Sequence, residues 1–97
     1  MVTYMLMMKL TDQGLKELKK APQRIAEGIK AFEKIGGKMI GFYAALGEYD
    51  YIAIGEAPSD EAAIGFAFGL SSLGNVKTTS VKLISVPVFT ELVKKLP

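Results

Sequence analysis

Four segments of the chain carry the hydrophobic pattern that is typical of β-strands. They cover residues 2–10, 38–46, 51–56 and 76–86. The first three are apolar at both odd and even positions, so both faces of each strand are expected to be covered. Only the fourth carries polar residues at every second position, namely Thr78, Ser80 and Lys82, as suits a strand at the edge of a sheet.

A helix is predicted between the first two strands, because apolar residues recur there at spacings of three and four. They are Leu15, Leu18, Pro22, Ile25, Ile29 and Phe32. Thr11 or Asp12 offers a cap at its start. We expect Pro22 to kink or split this helix, since its ring removes a backbone hydrogen bond. The Gly36-Gly37 pair should end it.

A second helix is predicted over residues 62–73, after the capping segment Pro58-Ser59-Asp60-Glu61. Gly65 and Gly69 lie four positions apart in it, which predicts a close approach to the sheet or to another subunit. A short third helix should begin at Pro87. Strands two and three are joined by a reversal at Gly47-Glu48-Tyr49-Asp50.

The resulting order, β-α-β-β-α-β with a terminal helix, predicts a single α+β domain over residues 1–97 of the ferredoxin-like kind, an antiparallel sheet with helices on one face. The helix-free face is apolar too, so a second copy of the chain should cover it, sheet against sheet, as a dimeric α+β barrel. The alternative is that the terminal helix folds over that face within one chain. We favour the homodimer because that helix is short.

Composition narrows the function classes. The 97 residues are 49% apolar, with a net charge of +2, no cysteine and no histidine. These absences exclude disulfides, thiolate metal sites and serine–histidine triads, and leave only a carboxylate site for Mg²⁺ or Ca²⁺ formally open. No metal or cofactor is therefore expected. The weak charge argues against nucleic acid as a partner. Without a signal peptide or a membrane span, the expected location is the cytoplasm.

The chain resembles the GYD domain family over essentially its whole length. The relaxed signature is Gly47-Glu48-Tyr49-Asp50, and the supporting matches are Pro22-x-Arg24, Gly36-Gly37, Tyr43, Pro58 and Gly74-x-Val76-x-Thr78-x-Ser80. The resemblance implies no particular function. A more distant likeness, through the Gly-x-Tyr-Asp-Tyr hairpin, is to the effector-binding half of Lrp/AsnC regulators. That likeness implies a dimeric barrel that binds small molecules between subunits, without the DNA-binding portion.

Asp50 is the sharpest candidate for chemistry. Its carboxylate could act as a general base or anchor a ligand amine. A turn aspartate more often accepts hydrogen bonds from nearby backbone amides and pins the hairpin, and we favour that role. Tyr43 is predicted to line a pocket, and Tyr49 is a further ligand-binding candidate. Arg24, the only arginine, could hold an anion; a surface ion pair with Asp50, Glu48 or Glu27 is the default.

The expected function is a non-catalytic, homo-oligomeric module that binds a small ligand in an apolar pocket between sheet and helices, or acts as a regulator. The alternative is a cofactor-independent enzyme, similar to a small monooxygenase or isomerase. In that alternative Asp50 and Tyr43 transfer protons and Arg24 holds an anion. A third hypothesis is a structural partner for a larger complex.

Overall fold

The computed structural model describes residues 1–97 and is an α+β fold. Its strands are β1 (Val2–Leu10), β2 (Lys38–Ala44), β3 (Tyr51–Ala57) and β4 (Val76–Leu83). Its helices are α1 (Asp12–Lys16), α2 (Ala21–Lys34), α3 (Asp60–Ser72) and α4 (Val86–Lys94), with a 3-10 turn at Leu18–Lys20. The predicted β-α-β-β-α-β order with a terminal helix is confirmed.

The four strands form one antiparallel sheet in the order β2-β3-β1-β4. β1 lies in the interior between β3 and β4, and its residues are apolar on both faces of the sheet. β4 is an edge strand, as its polar alternation predicts. β2 forms the other edge, and its register against β3 shifts between Met39 and Gly41.

The first helical segment is broken rather than continuous. The Thr11 hydroxyl accepts a hydrogen bond from the Gly14 amide at 3.1 Å and so caps α1. After the 3-10 turn, α2 begins with Pro22 in its first turn, where a missing N–H costs no helical hydrogen bond. The prediction that Pro22 splits this segment is therefore confirmed. Gly36 follows α2 with a φ of 90°, a conformation that favours glycine.

Two strands are shorter than their apolar runs predict. β2 ends at Ala44 rather than at 46, because the Ala45 amide turns to donate a 2.8 Å hydrogen bond to the carbonyl of Asp50. β4 ends at Leu83 rather than at 86, because the Ser85 hydroxyl accepts from the amide of Val88 and caps α4. Side-chain hydrophobicity does not mark these boundaries; local hydrogen bonding does.

The two faces of the sheet differ in what covers them. α2 and α3 lie over one face, which we call the helix face. The opposite face, called the open face, has no helix of this chain on it. Its centre consists of half-buried apolar side chains: Met5, Met7, Ile52, Ile54, Val81 and Leu83. An antiparallel sheet with a solvated face normally carries polar residues there, so this face has the composition of a covered one.

The terminal helix α4 does not cover the open face. Every residue from Ile84 to Pro97 is exposed, and α4 has no extensive contact with any strand or helix. The alternative in which this helix shields the sheet within one chain is therefore wrong. The radius of gyration is 14.9 Å, and the molecule measures 52 × 30 × 20 Å. A compact chain of this length would have a radius of about 12.5 Å, so the fold is elongated.

Candidate functional site

A cavity of about 620 Å³ lies between the helix face of the sheet and helices α2 and α3. Its floor includes Leu6 and Met8 of β1 and Ala53 and Gly55 of β3, and its lining is mostly apolar. Natural ligand sites have about 300–1,000 Å³, so the cavity is of ligand size.

One aromatic pair joins the two helices across this cavity. The rings of Phe32 on α2 and Phe66 on α3 have centroids 5.0 Å apart at an interplanar angle of 56°. Phe32 is buried, and two glycines make room for it. A Cβ on Gly37 would lie 2.6 Å from its ring, and one on Gly55 would lie 2.9 Å from it. A side chain at either position would collide with the ring, so the observed placement of Phe32 requires glycine at both positions.

Arg24 brings a positive charge to the cavity lining. It lies one turn into α2, and its Nη2 donates to Oε2 of Glu17 at 2.9 Å. Its side chain is 32% exposed, so it borders both cavity and solvent and marks the mouth. The expected ion pair is present, but its partner differs from Asp50, Glu48 and Glu27, the carboxylates that the sequence suggested. Glu17 sits at the break between α1 and the 3-10 turn, a geometry that helical spacing does not reveal.

Glu17 is held by two cations. Lys20 Nζ lies 3.0 Å from the same Oε2 atom that Arg24 contacts. The hydrogen bond and charge of Lys20, followed by the charge of Arg24, lower the pKa of Glu17 from its ordinary value of 4.5. Glu17 is thus an anion at neutral pH that remains paired with Lys20 even if Arg24 leaves it.

Asp50 acts as a structural link between three strands. Its Oδ2 accepts a hydrogen bond from the Leu10 amide at 2.8 Å. Its own amide donates to the Met8 carbonyl, and its carbonyl accepts from the Ala45 amide, each at 2.8 Å. The geometry matches the pinning role that we favoured. Asp50 is half-buried and is not part of the cavity lining.

Tyr43 and Tyr49 lie outside the cavity lining. Tyr43 is 59% exposed on the open face, with its hydroxyl folded across Gly41, where a Cβ would lie 2.8 Å away. Placing Tyr43 in a pocket between sheet and helices is therefore wrong, because strand alternation directs its neighbour Phe42 there instead. Phe42 pairs with Tyr51 at a centroid distance of 5.4 Å. Burial, and then the charge of Asp50, raise the pKa of Tyr51.

A polar cluster that the sequence did not reveal lies where α3 begins. Asp60 accepts from the Tyr4 hydroxyl at 3.1 Å and from Lys82 Nζ at 3.0 Å. The Lys82 hydrogen bond is the largest effect on Asp60 and lowers its pKa, whereas burial and the Asp60 bond raise the pKa of Tyr4. Tyr4 and Lys82 are partners across β1 and β4. Only that strand pairing brings the three together, although the capping segment did single out Asp60.

Nowhere do three or more acidic side chains gather in a way that could hold a metal ion. None of the four helices combines the length and the hydrophobicity that crossing a bilayer requires. The cavity with Arg24 at its mouth is the main candidate site because it is of ligand size and mostly apolar, with one cation in its lining.

The fold and the cavity define a ferredoxin-like α+β domain with a predominantly apolar pocket. The chain belongs to the GYD domain family, whose sequence model matches residues 4–93. It is similar to a protein of Thermus thermophilus named "glutamine synthetase and cystathionine beta-lyase binding protein". The two are 34% identical over 87 residues, which cover 89% of this chain and 92% of the relative. The predicted family resemblance is confirmed.

The fold is also similar to that of a solved regulator, the leucine response regulatory protein LrpA of Mycobacterium tuberculosis. The TM-score is 0.58 at 16% sequence identity, over 88% of this chain and 51% of the regulator. The chain therefore spans about half the length of that protein. At this identity the similarity shows the fold alone, and it confirms the more distant likeness to Lrp regulators at that level.

Proposed function

We propose that this protein is a non-catalytic, homo-oligomeric module that binds a small molecule in the cavity between the sheet and helices α2 and α3. The observation that carries the proposal is the 620 Å³ cavity with its predominantly apolar lining, because a concave apolar surface of that size with a few polar groups is characteristic of small-molecule sites. A bound ligand would contact the apolar lining of this cavity, which includes Leu6, Ile25 and Phe66.

The positions of Asp50 and Tyr43 argue for binding over catalysis. The enzyme alternative needs both groups in one enclosed cavity, where they could exchange protons with a substrate. Asp50 instead engages the Leu10 amide through its Oδ2, and Tyr43 lies on the opposite face of the sheet. The proposed role of the pocket is therefore recognition. Arg24 remains our ligand-contacting candidate.

A second copy of the chain is the proposed cover of the open face. The six apolar side chains at its centre and the exposed α4 are the surfaces that an isolated chain leaves in water. Burial of apolar area contributes about 25 cal/mol per Å². Sheet-against-sheet association would bury the first set, and α4 would extend over the neighbouring copy.

Docking onto a larger enzyme is the second candidate function. The Thermus relative is named for binding two enzymes, and the exposed apolar side of α4 offers a surface for such a contact. Size-exclusion chromatography with purified glutamine synthetase and cystathionine β-lyase tests this candidate. We expect co-elution with at least one enzyme, and loss of co-elution in Phe89→Asp. Independent elution of all three proteins would contradict docking.

Native mass spectrometry of freshly purified protein tests the main proposal. The expected spectrum contains an even number of subunits and an added mass that denaturing conditions release. Protein that has been unfolded, dialysed and refolded is the control, since it should keep the subunit number and lose the added mass. A compact single subunit would contradict the homo-oligomer. An assembly without added mass that also gains no thermal stability from a small-molecule library would contradict ligand binding.

A further inference from the structure

We propose that the ligand is an apolar monocarboxylate whose carboxylate displaces Glu17 from Arg24 while its hydrocarbon part fills the cavity. The inference rests on the proposed ligand-binding function and names the chemical class of the ligand. The inference follows from two features of the cavity: its lining is mostly apolar, and its one cation, Arg24, lies at the mouth.

The cavity is asymmetric in polarity. Leu6, Met8 and Ala53 of its floor and the Phe32–Phe66 pair are apolar, so they suit a hydrocarbon chain or ring. The sheet also contributes Tyr4, whose hydroxyl donates to Asp60, and Ser80. Polar groups in the lining include Gln13 and Asn75, whose side chains are hydrogen-bonded at 3.0 Å in the segments next to the ends of β1 and α3. Arg24 is the only cation in the lining. A ligand with one anionic head and an apolar body matches this distribution.

The guanidinium of Arg24 has capacity that the structure does not use. It offers five N–H donors in a planar fork, and its one side-chain hydrogen bond is the Nη2 contact to Glu17. A ligand carboxylate can accept two parallel hydrogen bonds from that fork, which is stronger than one. Both partners of the present pair are about one-third exposed, so solvent screens it.

If Arg24 leaves Glu17, the Glu17 carboxylate still has a cationic partner. Lys20 already contacts the same Oε2 atom at 3.0 Å and would stay in place. The exchange therefore substitutes one carboxylate for another without leaving an unpaired charge. Glu17 acts in this scheme as a built-in competitor that occupies Arg24 until a ligand arrives.

The other charge in the lining limits the ligand to a single negative charge. Glu27 also borders the cavity; it is exposed, and its Oε1 accepts from Gln23 at 3.0 Å. A dianion such as a phosphate monoester would face one cation and this carboxylate together. A monocarboxylate meets less repulsion.

Calorimetric titration with three probes of equal chain length tests the inference: decanoate, decan-1-ol and decylamine. We expect wild-type protein to bind decanoate about tenfold more tightly than the alcohol. Arg24→Gln should remove this preference and leave the affinity for the alcohol unchanged. Glu17→Gln should tighten decanoate alone by a few-fold. Lys30→Gln, which removes an exposed cation of α2 outside the cavity, should change none of these values.

Methyl NMR spectra locate the bound probe without any substitution. Decanoate should shift the resonances of Ala53 and Leu70 in the cavity and leave those of Ile54 and Val81 on the open face unchanged. Equal affinity for decanoate and decan-1-ol, or tightest binding of decylamine, would refute the proposal that the ligand is a carboxylate. Either result would still support binding of an apolar ligand. Shifts confined to the open face would overturn the cavity as the site. Failure of all three probes to bind would contradict the inference. The ligand-binding function itself is tested separately, by the added mass that native mass spectrometry detects in freshly purified protein.

Discussion

The carboxylate of Asp50 accepts a hydrogen bond from the backbone amide of Leu10 at 2.8 Å, although the two residues are forty positions apart. This contact ties the loop between β2 and β3 to the end of β1. It explains why an aspartate follows the tyrosine of the loop: a shorter or neutral side chain would leave the Leu10 amide unsatisfied or more weakly bonded.

Replacing Asp50 should therefore lower stability without affecting ligand binding. Asp50→Ala removes the acceptor and is expected to cost about 1–3 kcal/mol, whereas Asp50→Asn retains a neutral acceptor and should cost less. Urea unfolding measures both changes. Glu48→Ala, an exposed substitution in the same loop, is the control and should stay within about 0.5 kcal/mol of wild type. Unchanged stability of Asp50→Ala would show that the hydrogen bond contributes nothing.

Two glycine-to-alanine substitutions should have opposite effects. In Gly55→Ala the new Cβ would lie 2.9 Å from Phe32, so the ring must move, at a cost of about 1–3 kcal/mol. A Cβ on Gly65 of α3 would have no atom of a neighbouring element within 4 Å, contrary to the predicted close approach of this helix to the sheet. Gly65→Ala should therefore stabilise the helix by about 0.8–1 kcal/mol.

Thermal and urea unfolding of these two variants give the comparison directly. If Gly65→Ala instead weakens the protein and lowers its subunit number, the outer side of α3 contacts another copy in solution. That outcome would refute the prediction and support the second possibility that the glycine spacing raised, approach to another subunit.

Phe89 should contribute to assembly rather than to the stability of a single chain. It is 56% exposed on α4, which hardly contacts the rest of the fold. Complete burial of a phenylalanine contributes about 1.5–3 kcal/mol. Phe89 is already partly covered, so each copy would gain about half of that, but a symmetric dimer buries two copies. Phe89→Asp should therefore raise the dissociation constant roughly 10- to 100-fold. Sedimentation velocity over a range of concentrations measures it. Thr90→Asp introduces the same charge on the same helix and is the control; equal effects of both variants would contradict a specific role for Phe89.

Stability should decrease on acidification in part through Asp60. The hydrogen bond from Lys82 keeps the pKa of Asp60 in the folded state below its ordinary value of 3.8. The unfolded chain therefore binds the proton first as the pH falls. The contribution of Asp60 is fully present above about pH 3.8 and is lost as the pH falls through the folded-state pKa.

Unfolding of Asp60→Asn as a function of pH checks this contribution, together with a carboxyl NMR titration of wild type. The free energy of unfolding of the variant should fall less steeply with decreasing pH than that of the wild type. Because both side chains of the Lys82–Asp60 pair are partly exposed, about 0.5 M NaCl should reduce the difference. If the free energies of unfolding of wild type and Asp60→Asn depend on pH in the same way at low salt, this ion pair does not contribute to folding stability.

Much of the architecture follows from local pattern. The hydroxyls of Thr11 and Ser59 cap the starts of two helices, Gly36 adopts a positive φ after α2, and Pro22 marks the start of α2, so these features are predictable from neighbouring residues. The β2 and β4 endpoints did not follow, because they depend on hydrogen bonds within the loop and at the α4 cap.

The candidate site depended on contacts between distant parts of the chain. Sequence alone identified Arg24 as an anion-binding candidate, but pairing with Glu17 required the break between α1 and α2. Whether Tyr43 or Phe42 faces the cavity turned on a single step of strand register, and Tyr4, Asp60 and Lys82 met only through the pairing of β1 with β4. The amino-acid pattern determined which elements form and which strand reads as an edge, because periodicity and capping act over a few residues. Tertiary structure decided which side chains meet, because that depends on register and on the space left between helices and sheet.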